Sequence, residues 1–241
     1  MKIREYRREV EAELQRYARN ASTRRSLDTG RTLHGPEAWD AALTILRDHA
    51  AAEEQRIGAL YELQAGAFDV VKFAPFSPAF VAALQEIAPA RDEPDALRRS
   101  AIDYLSNAGD EIASRVLIAG LEGAEPAVVA PAAALEMLAR HDHGAATRLA
   151  HQILDGTNPP QLREQAARVL GSDPQAADRL ESLIRDPNED PQVRRAGAIA
   201  LRALRPGAFK AAARSVLDTD AGTDIGSTIN RGLRNLADED K

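Results

Sequence analysis

Apolar residues recur at helical spacing between Asp190 and Leu204, in the stretch DPQVRRAGAIALRAL. Five of them share one helix face, at i, i+4, i+7, i+8 and i+11: Val193, Gly197, Ala200, Leu201 and Leu204. Asp190 can cap the first turn by accepting a backbone N–H bond, and Pro191 fits the first helical position because no donor is needed there. We predict a helix over 190–204, in which the small Gly197 and Ala200 let another helix approach closely.

The same apolar pattern recurs along the chain. Its first positions are, in order, Gln55, Leu97, Val128, Leu162, Val193 and Ile225. The steps between them are 42, 31, 34, 31 and 32 residues, and self-similarity at such a period predicts stacked helical repeats. We call these six predicted elements the B helices. The first copy is the most diverged, and in the third Pro131 interrupts the first turn.

A second helix, which we call an A helix, fills each interval and carries its own apolar stripe. The predicted A helices cover approximately 37–49, 78–88, 110–121, 144–155, 175–185 and 207–218. Pro-containing turns separate the helices, as at Asp186-Pro187. The 42-residue step contains one irregular insertion, Ala65 to Pro78. Four of the five Phe residues lie in it or just after it: Phe68, Phe73, Phe76 and Phe80.

The B helices share the pattern Pro-x-Val/Leu-Arg-x-x-Ala-x-x-x-Leu. The residues that carry it are Pro191, Val193, Arg194, Gly197 and Leu201, then Leu97, Arg98, Ala101 and Leu105, then Leu162, Arg163, Ala166 and Leu170. This pattern resembles HEAT repeats, especially the short bacterial HEAT-like type related to phycobilisome lyases. The resemblance implies an all-α, right-handed α-solenoid of about six helical hairpins over 36–241, with the B helices on its concave side. It also implies that Arg98, Arg163 and Arg194 bond acidic or carbonyl groups of a neighbouring repeat.

Residues 1–35 differ from the repeats. Residues 2–19 predict an amphipathic helix, and residues 20–35, which are rich in turn formers, predict a linker. The helix stripe consists of Ile3, Tyr6, Val10, Leu14 and Tyr17. The segment contains nine Lys and Arg against five acidic residues, a net charge of +4. We favour a helix that caps the first repeat, because exposed solenoid ends need covering, over a basic arm that docks on a partner.

Composition narrows the class of protein. Hydrophobic residues make up 44% of the chain but aromatics only 4%. This composition favours narrow helix–helix interfaces over one thick core. The net charge of -6 argues against a general nucleic-acid binder. Cysteine is absent, and no run approaches the roughly 18 apolar residues of a membrane span. We expect a soluble cytoplasmic protein without a membrane segment. The sequence leaves the oligomeric state open.

Candidate catalytic groups are few. The five His residues form no His-Glu dipeptide of the kind that holds iron in deoxyhypusine hydroxylase, which this architecture resembles. His143 and His151 could face each other, but their spacing favours a polar helix-to-helix turn over a metal site. No phosphate-binding glycine loop stands out. We therefore expect no catalytic residue, metal or cofactor.

Two ligand-binding alternatives remain open. HEAT-like alkylpurine DNA glycosylases resemble the chain in size and architecture, but they use a groove rich in Trp and Tyr. Trp39 is the only Trp here and occupies an apolar, core-like position. A phycobilin-lyase-like helper could use the Phe68–Phe80 cluster to line a small apolar site. We favour a loop packed against the first two repeats, because buried Phe is ordinary.

The outer face of the B helices is the candidate binding surface. Residues two, six and nine positions after each first core position should point away from the core. The predicted partner-binding residues are Ile57, Tyr61, Arg99, Met137, Arg168, Arg195, Ile199, Arg202, Arg231 and Arg234. Ser106 and Ala134 also fall in this register. Arg suits carboxylate recognition, so we predict a non-catalytic scaffold or adaptor that binds an acidic, partly apolar helix or tail. A solvated face whose Arg stems pack on one another is the alternative, and nucleic-acid binding is a second.

Overall fold

The computed structural model describes residues 35–220 and 222–239. Every regular element within these ranges is helical, and no strand occurs in them. The predicted all-α class is therefore confirmed. The predicted amphipathic helix over 2–19 lies outside the described residues, as does all of the linker except Gly35. No helix in the described part is long and apolar enough to cross a membrane.

The chain divides into two compact units, of which the first ends at Leu105 and the second begins at Ser106. The helices of the first unit are α1 (Pro36–Arg47), α2 (Glu53–Gly66), α3 (Val70–Phe73), α4 (Ser77–Ile87) and α5 (Asp95–Asn107), whose last residues cross the boundary. Those of the second are α6 (Glu111–Leu121), α7 (Pro131–His141), α8 (His143–Asp155), α9 (Pro160–Val169), α10 (Ala177–Arg185), α11 (Pro191–Leu204), α12 (Pro206–Asp220) and α13 (Asp224–Glu239). Two short 3-10 turns, Leu170–Ser172 and Pro174–Ala176, join α9 to α10.

The helices follow the predicted alternation of A and B elements. The A helices are α1, α4, α6, α8, α10 and α12, and the B helices are α2, α5, α7, α9, α11 and α13. The insertion contains the four-residue α3. Within the second unit each B helix packs on the next, α7 on α9, α9 on α11 and α11 on α13. The B helices of this unit therefore form a continuous row.

Local capping explains where α11 begins. The side chain of Asp190 accepts a bond of 2.8 Å from the backbone N–H of Gln192, and Pro191 lies in the first turn. Asp110 and Asp142 cap α6 and α8 in the same way. A capped start satisfies backbone donors that the helix itself cannot satisfy. The helix predicted over 190–204 is confirmed.

The close approach predicted at Ala200 is present, since its Cβ is 3.2 Å from a Cβ built on Gly171. At Gly197 a Cβ would lie 3.6 Å from Ile184 and 3.7 Å from the carbonyl of Leu180, so an alanine would fit there. One detail of the prediction is wrong, because Pro131 does not interrupt a helix. It begins α7, because proline fits the first turn, and Val128 precedes the helix.

Ser106 and Ala134, which the register placed on the outer face, are buried. Ala134 lies one turn into α7, and the later start of that helix explains the shifted register. The apolar core positions were predicted better. In α11, Val193, Ala200 and Leu201 are all buried against neighbouring helices. The core consists mostly of Leu and Ala, as expected for narrow helix–helix interfaces.

Buried arginines connect consecutive elements. Arg194 in α11 donates from Nε to the carbonyl of Ile184 at the end of α10, over 3.0 Å. Its Nη2 bonds Asp220, 2.9 Å away at the end of α12. Arg163 in α9 repeats the arrangement, with a bond to the carbonyl of Leu154 and an ion pair with Glu189. Each guanidinium thus joins its own B helix to the preceding A helix and to the chain just before the next B helix.

The first unit contains the same arrangement at a residue that the repeat pattern did not identify. Arg56 in α2 donates from Nε to the carbonyl of Leu46, over 3.0 Å, and from Nη2 to Glu93, over 2.8 Å. Arg98 in α5 likewise donates from Nε to the carbonyl of Ala88 at the end of α4. We call Arg56, Arg163 and Arg194 the clamp arginines. Arg163 and Arg194 bond acids beyond their own predicted hairpin, as expected, whereas Arg98 bonds the preceding helix α4 and Asp95 of its own helix.

Aromatic rings fill the inside of the first unit. Trp39 meets Phe73 and Phe76 edge to face, with ring centroids 5.3 and 5.5 Å apart. Phe80 continues the cluster toward Tyr104, at 5.0 Å. These side chains place the insertion against α1 and α5, because edge-to-face packing of rings adds to their burial. The interpretation of Trp39 as core is confirmed.

Gly66 and Gly58 in α2 offer a matched test of this packing. A Cβ on Gly66 would lie 2.5 Å from Nε1 of Trp39, whereas one on Gly58 would meet nothing within 4 Å. We expect Gly66→Ala to lower the free energy of unfolding by about 1–3 kcal/mol through overpacking. Gly58→Ala should raise it by about 0.5–1 kcal/mol, because alanine is the better helix former. Urea denaturation measures both, and equal effects would contradict the packing.

A second prediction concerns the clamp arginines. Arg194→Ala should destabilise the protein by about 3 kcal/mol, since it removes the buried guanidinium that bonds both Asp220 and the carbonyl of Ile184. Arg214→Ala, at an exposed position of α12, should stay within about 0.5 kcal/mol of the unchanged protein. Denaturant unfolding of the two variants is the comparison. Equal stabilities would show that the clamp does not stabilise the stack.

Candidate functional site

The arginines on the A helices of the second unit are mostly neutralised by acids. The ion pairs on these helices are Arg148–Glu122 at 3.0 Å, Arg179–Asp155 at 3.0 Å and Arg185–Glu181 at 2.8 Å. Arg205, between α11 and α12, pairs with Asp178 on α10 at 2.7 Å. These pairs lie at or near the surface, where each contributes little to stability. Their effect is to cancel positive charge on the A-helix side. Arg115 and Arg214 are exposed on A helices outside these pairs.

The outer sides of α7, α9, α11 and α13 carry a different set, which we call the B face. Its members are Met137, Arg168, Arg195, Ile199, Arg202, Arg231 and Arg234. Arg168, Arg231 and Arg234 are exposed, and Arg195 and Arg202 are half-buried. Because each of these B helices packs on the next, the members of the B face lie on successive neighbouring helices.

Few acids neutralise the B face. Arg168 pairs with Glu164 one turn earlier in α9, and Arg195 bonds the neutral side chain of Gln192. Among the described residues, no ion pair holds Arg202, Arg231 or Arg234. Three guanidinium groups therefore face solvent with their donors available.

Arg202 connects the two last B helices of the face. Its Cδ would lie 3.2 Å from a Cβ on Gly232, so its aliphatic stem rests on α13 beside Arg231. Arg231 and Arg234 are three residues apart and share one side of α13. The charges of α11 and α13 therefore meet at Gly232, where a larger residue would push Arg202 away.

An exposed apolar side chain lies among these charges. Ile199 is 55% exposed, and within the described part of the second unit it is the one large apolar residue left so open. It follows Arg195 by one turn and precedes Arg202 by nearly one, so the three share a side of α11. An exposed apolar side chain next to guanidinium groups can bind an acidic helix that also carries an apolar stripe. It fits such a helix better than a uniformly charged chain.

The predicted site residues divide between the two units. Ile57, Tyr61 and Arg99 belong to the first unit, whereas the B face belongs to the second. Ile57 and Tyr61 are half-buried in α2, and Arg99 is exposed on α5. Met137 is half-buried on α7, which packs on α9.

The histidines of the second unit have partners other than each other. His151 Nε2 lies 2.8 Å from Asp173 Oδ2, and His143 Nε2 lies 2.9 Å from the hydroxyl of Ser172. The carboxylate and the hydroxyl thus bond different imidazoles, so they form no nucleophile–base–acid chain. In the described ranges no group of three or more His, Cys, Asp or Glu side chains could hold a metal ion.

Asp173 ties α8 to the turn before α10. The hydrogen bond from His151 holds the pKa of Asp173 below its usual 3.8, and the backbone N–H of Gln175 adds to this. A carboxylate that accepts such bonds is stabilised in its charged form. Burial opposes the shift without cancelling it.

The insertion in the first unit borders an apolar groove of about 540 Å³. It is lined by Ala67, Val70, Phe73, Ala74, Ser77, Pro78, Val81, Ala82, Gln85 and Tyr104. Burial raises the pKa of the Tyr104 hydroxyl above its usual value. Phe73 and Phe80 are buried as predicted for a packed loop, but Phe68 is 86% exposed. The exposure of Val70 and Val71 next to it was missed, because an apolar run in a Phe-rich segment indicates burial.

No protein-family model matches this sequence, and no curated protein matches it significantly.

The Asp173–His151 pair predicts a titration that NMR can follow. In His151→Ala the pKa of Asp173 should rise toward 3.8, whereas Gln152→Ala, an exposed neighbour on α8, should leave it unchanged. The pair stabilises the fold fully above the unfolded pKa, and the stabilisation is lost as pH falls through the lower folded value. Carboxyl chemical shifts report the pKa. An equal pKa in both variants would contradict the contact.

Proposed function

We propose that this chain is a non-catalytic interaction scaffold, a HEAT-like α-solenoid whose B face binds an acidic, partly apolar helix or tail. One observation carries the proposal. Arg202 on α11 and Arg231 and Arg234 on α13 stand without ion pairs, and Ile199 is exposed on α11, whereas most of the A-helix arginines are paired. An unpaired guanidinium on a surface can bind a carboxylate through two parallel hydrogen bonds.

Two features support the solenoid part of the proposal. The B helices of the second unit pack in chain order, α7 to α9 to α11 to α13. The clamp arginines repeat in both units with the same pattern of a carbonyl and a following acid. Repeated nearest-neighbour contacts of this kind are typical of stacked helical repeats.

The proposed partner follows from the chemistry of the B face. Arg202, Arg231 and Arg234 present unpaired guanidinium groups that match planar carboxylates, and Ile199 offers an exposed apolar contact on α11. A partner helix with acidic residues on both sides of an apolar stripe would pair with the arginines and bury Ile199. Charge attraction would speed the association, and salt would weaken it.

We predict that reversing the charge of B-face arginines abolishes partner binding. The variant Arg195→Glu, Arg202→Glu, Arg231→Glu should lose captured partners in a crosslinking pull-down, with affinity falling by at least about a hundredfold. A matched control reverses Arg115, Lys210 and Arg214 to Glu on the A helices, with the same change in net charge. The control should retain the partners. Equal capture by both variants would show that the B face is not the binding surface.

The same variants separate protein binding from nucleic-acid binding. Fluorescence anisotropy with labelled duplex and single-stranded DNA at low salt should show no binding by the unchanged protein. Binding that weakens steeply with salt, and that the B-face reversal abolishes, would assign the arginines to phosphates and overturn the proposed partner.

A further inference from the structure

The first unit leaves an apolar patch open to solvent. Phe68, Val70 and Val71 are 86%, 74% and 85% exposed, and we call these three the α3 patch. The groove of about 540 Å³ opens beside it, since Val70 also lines the groove. Three large apolar side chains beside an apolar groove mark a surface that another chain segment covers.

We propose that residues 2–19 of the same chain cover the α3 patch and its groove. The sequence predicts a helix there with one apolar stripe, spaced three or four residues apart. Its members are Ile3, Tyr6, Val10, Leu14 and Tyr17. A stripe of this kind needs an apolar surface to pack against, because a helix of such length gains its stability chiefly from tertiary contacts.

The described chain begins close to this surface. Gly35 immediately precedes α1, and Trp39, in the first turn and a half of that helix, contacts Phe73 at 5.3 Å between ring centroids. Phe73 lines the groove. The fifteen residues 20–34 can span up to about 50 Å when extended, so the linker reaches any part of the groove.

Charge favours this surface over the B face. Residues 1–35 carry a net charge of +4, whereas residues 36–105 contain twelve acidic and six basic residues. Near the groove, the stretch 67–90 contains Asp69, Glu86 and Lys72, and because Lys72 pairs with Asp69 at 3.1 Å, Glu86 supplies the net charge of -1. The same segment would be repelled by the arginines of the B face. Opposite charge selects between the two exposed surfaces of the chain.

Hydrogen exchange of the full chain tests the contact. Val10→Asp places a charge in the apolar stripe, whereas Ala12→Asp adds the same charge on the opposite side of the predicted helix. Amides between Ala67 and Gln85 should exchange about tenfold faster in Val10→Asp than in Ala12→Asp. Unchanged exchange in α11 shows that the variant is folded. Equal exchange over 67–85 in the two variants would overturn the proposal.

Photocrosslinking identifies what occupies the groove. A benzoylphenylalanine placed at Val10 should crosslink within one chain to peptides from Ala67 to Tyr104, and one placed at Ala12 should not. Crosslinks in a species of twice the chain mass would mean that a second copy binds there. Crosslinks only to peptides of the second unit would place the segment elsewhere. Either of the last two results overturns the proposal.

Discussion

The requirement that a buried guanidinium be fully bonded connects consecutive helices of this chain. Burying an unpaired charge costs more free energy than the burial of a small Leu and Ala interface provides. Each clamp arginine therefore needs both a carbonyl and an acid as partners. Arg194 finds them at Ile184 and Asp220, on two different elements. The bond to the carbonyl satisfies the open end of an A helix, and the bond to the acid fixes the approach to the next B helix. One side chain thereby sets the position of three consecutive elements.

This constraint separates structural from available arginines on the same helix. Arg194 and Arg195 are neighbours in sequence, but successive residues point about 100° apart on a helix, so one is buried and the other lies on the B face. The acids of the turns pair with the buried arginines, as Glu93 pairs with Arg56. Because these acids are bound by the buried arginines, they do not neutralise the outer arginines. The positive charge of the B face is in this sense a consequence of how consecutive helices are held together.

The sequence predicted the helices and most of the core, because apolar period and capping residues act locally. It missed Arg56, since the first copy begins at Gln55 and lacks the apolar residue by which the copies were aligned. It could not predict the partner acids, because Arg163 and Arg194 reach acids 26 residues on while Arg56 reaches one 37 residues on. Of the B face, the ion pair of Arg168 with Glu164 could be read from i, i+4 spacing. The contact of Arg202 with Gly232 could not, since it depends on how α11 crosses α13.

The insertion between the first two hairpins shows where sequence pattern and exposure diverge. Its rings at Phe73 and Phe80 are buried by Trp39 and Tyr104, so the interior of the unit has no room for Phe68, Val70 and Val71. When an apolar run has more side chains than the core can enclose, the remaining side chains stay on the surface. Residues 36–105, which contain that excess, hold twelve acidic and six basic residues, whereas Ile199 shares a side of α11 with Arg195 and Arg202. The two exposed apolar surfaces therefore lie in surroundings of different charge, which favours different partners.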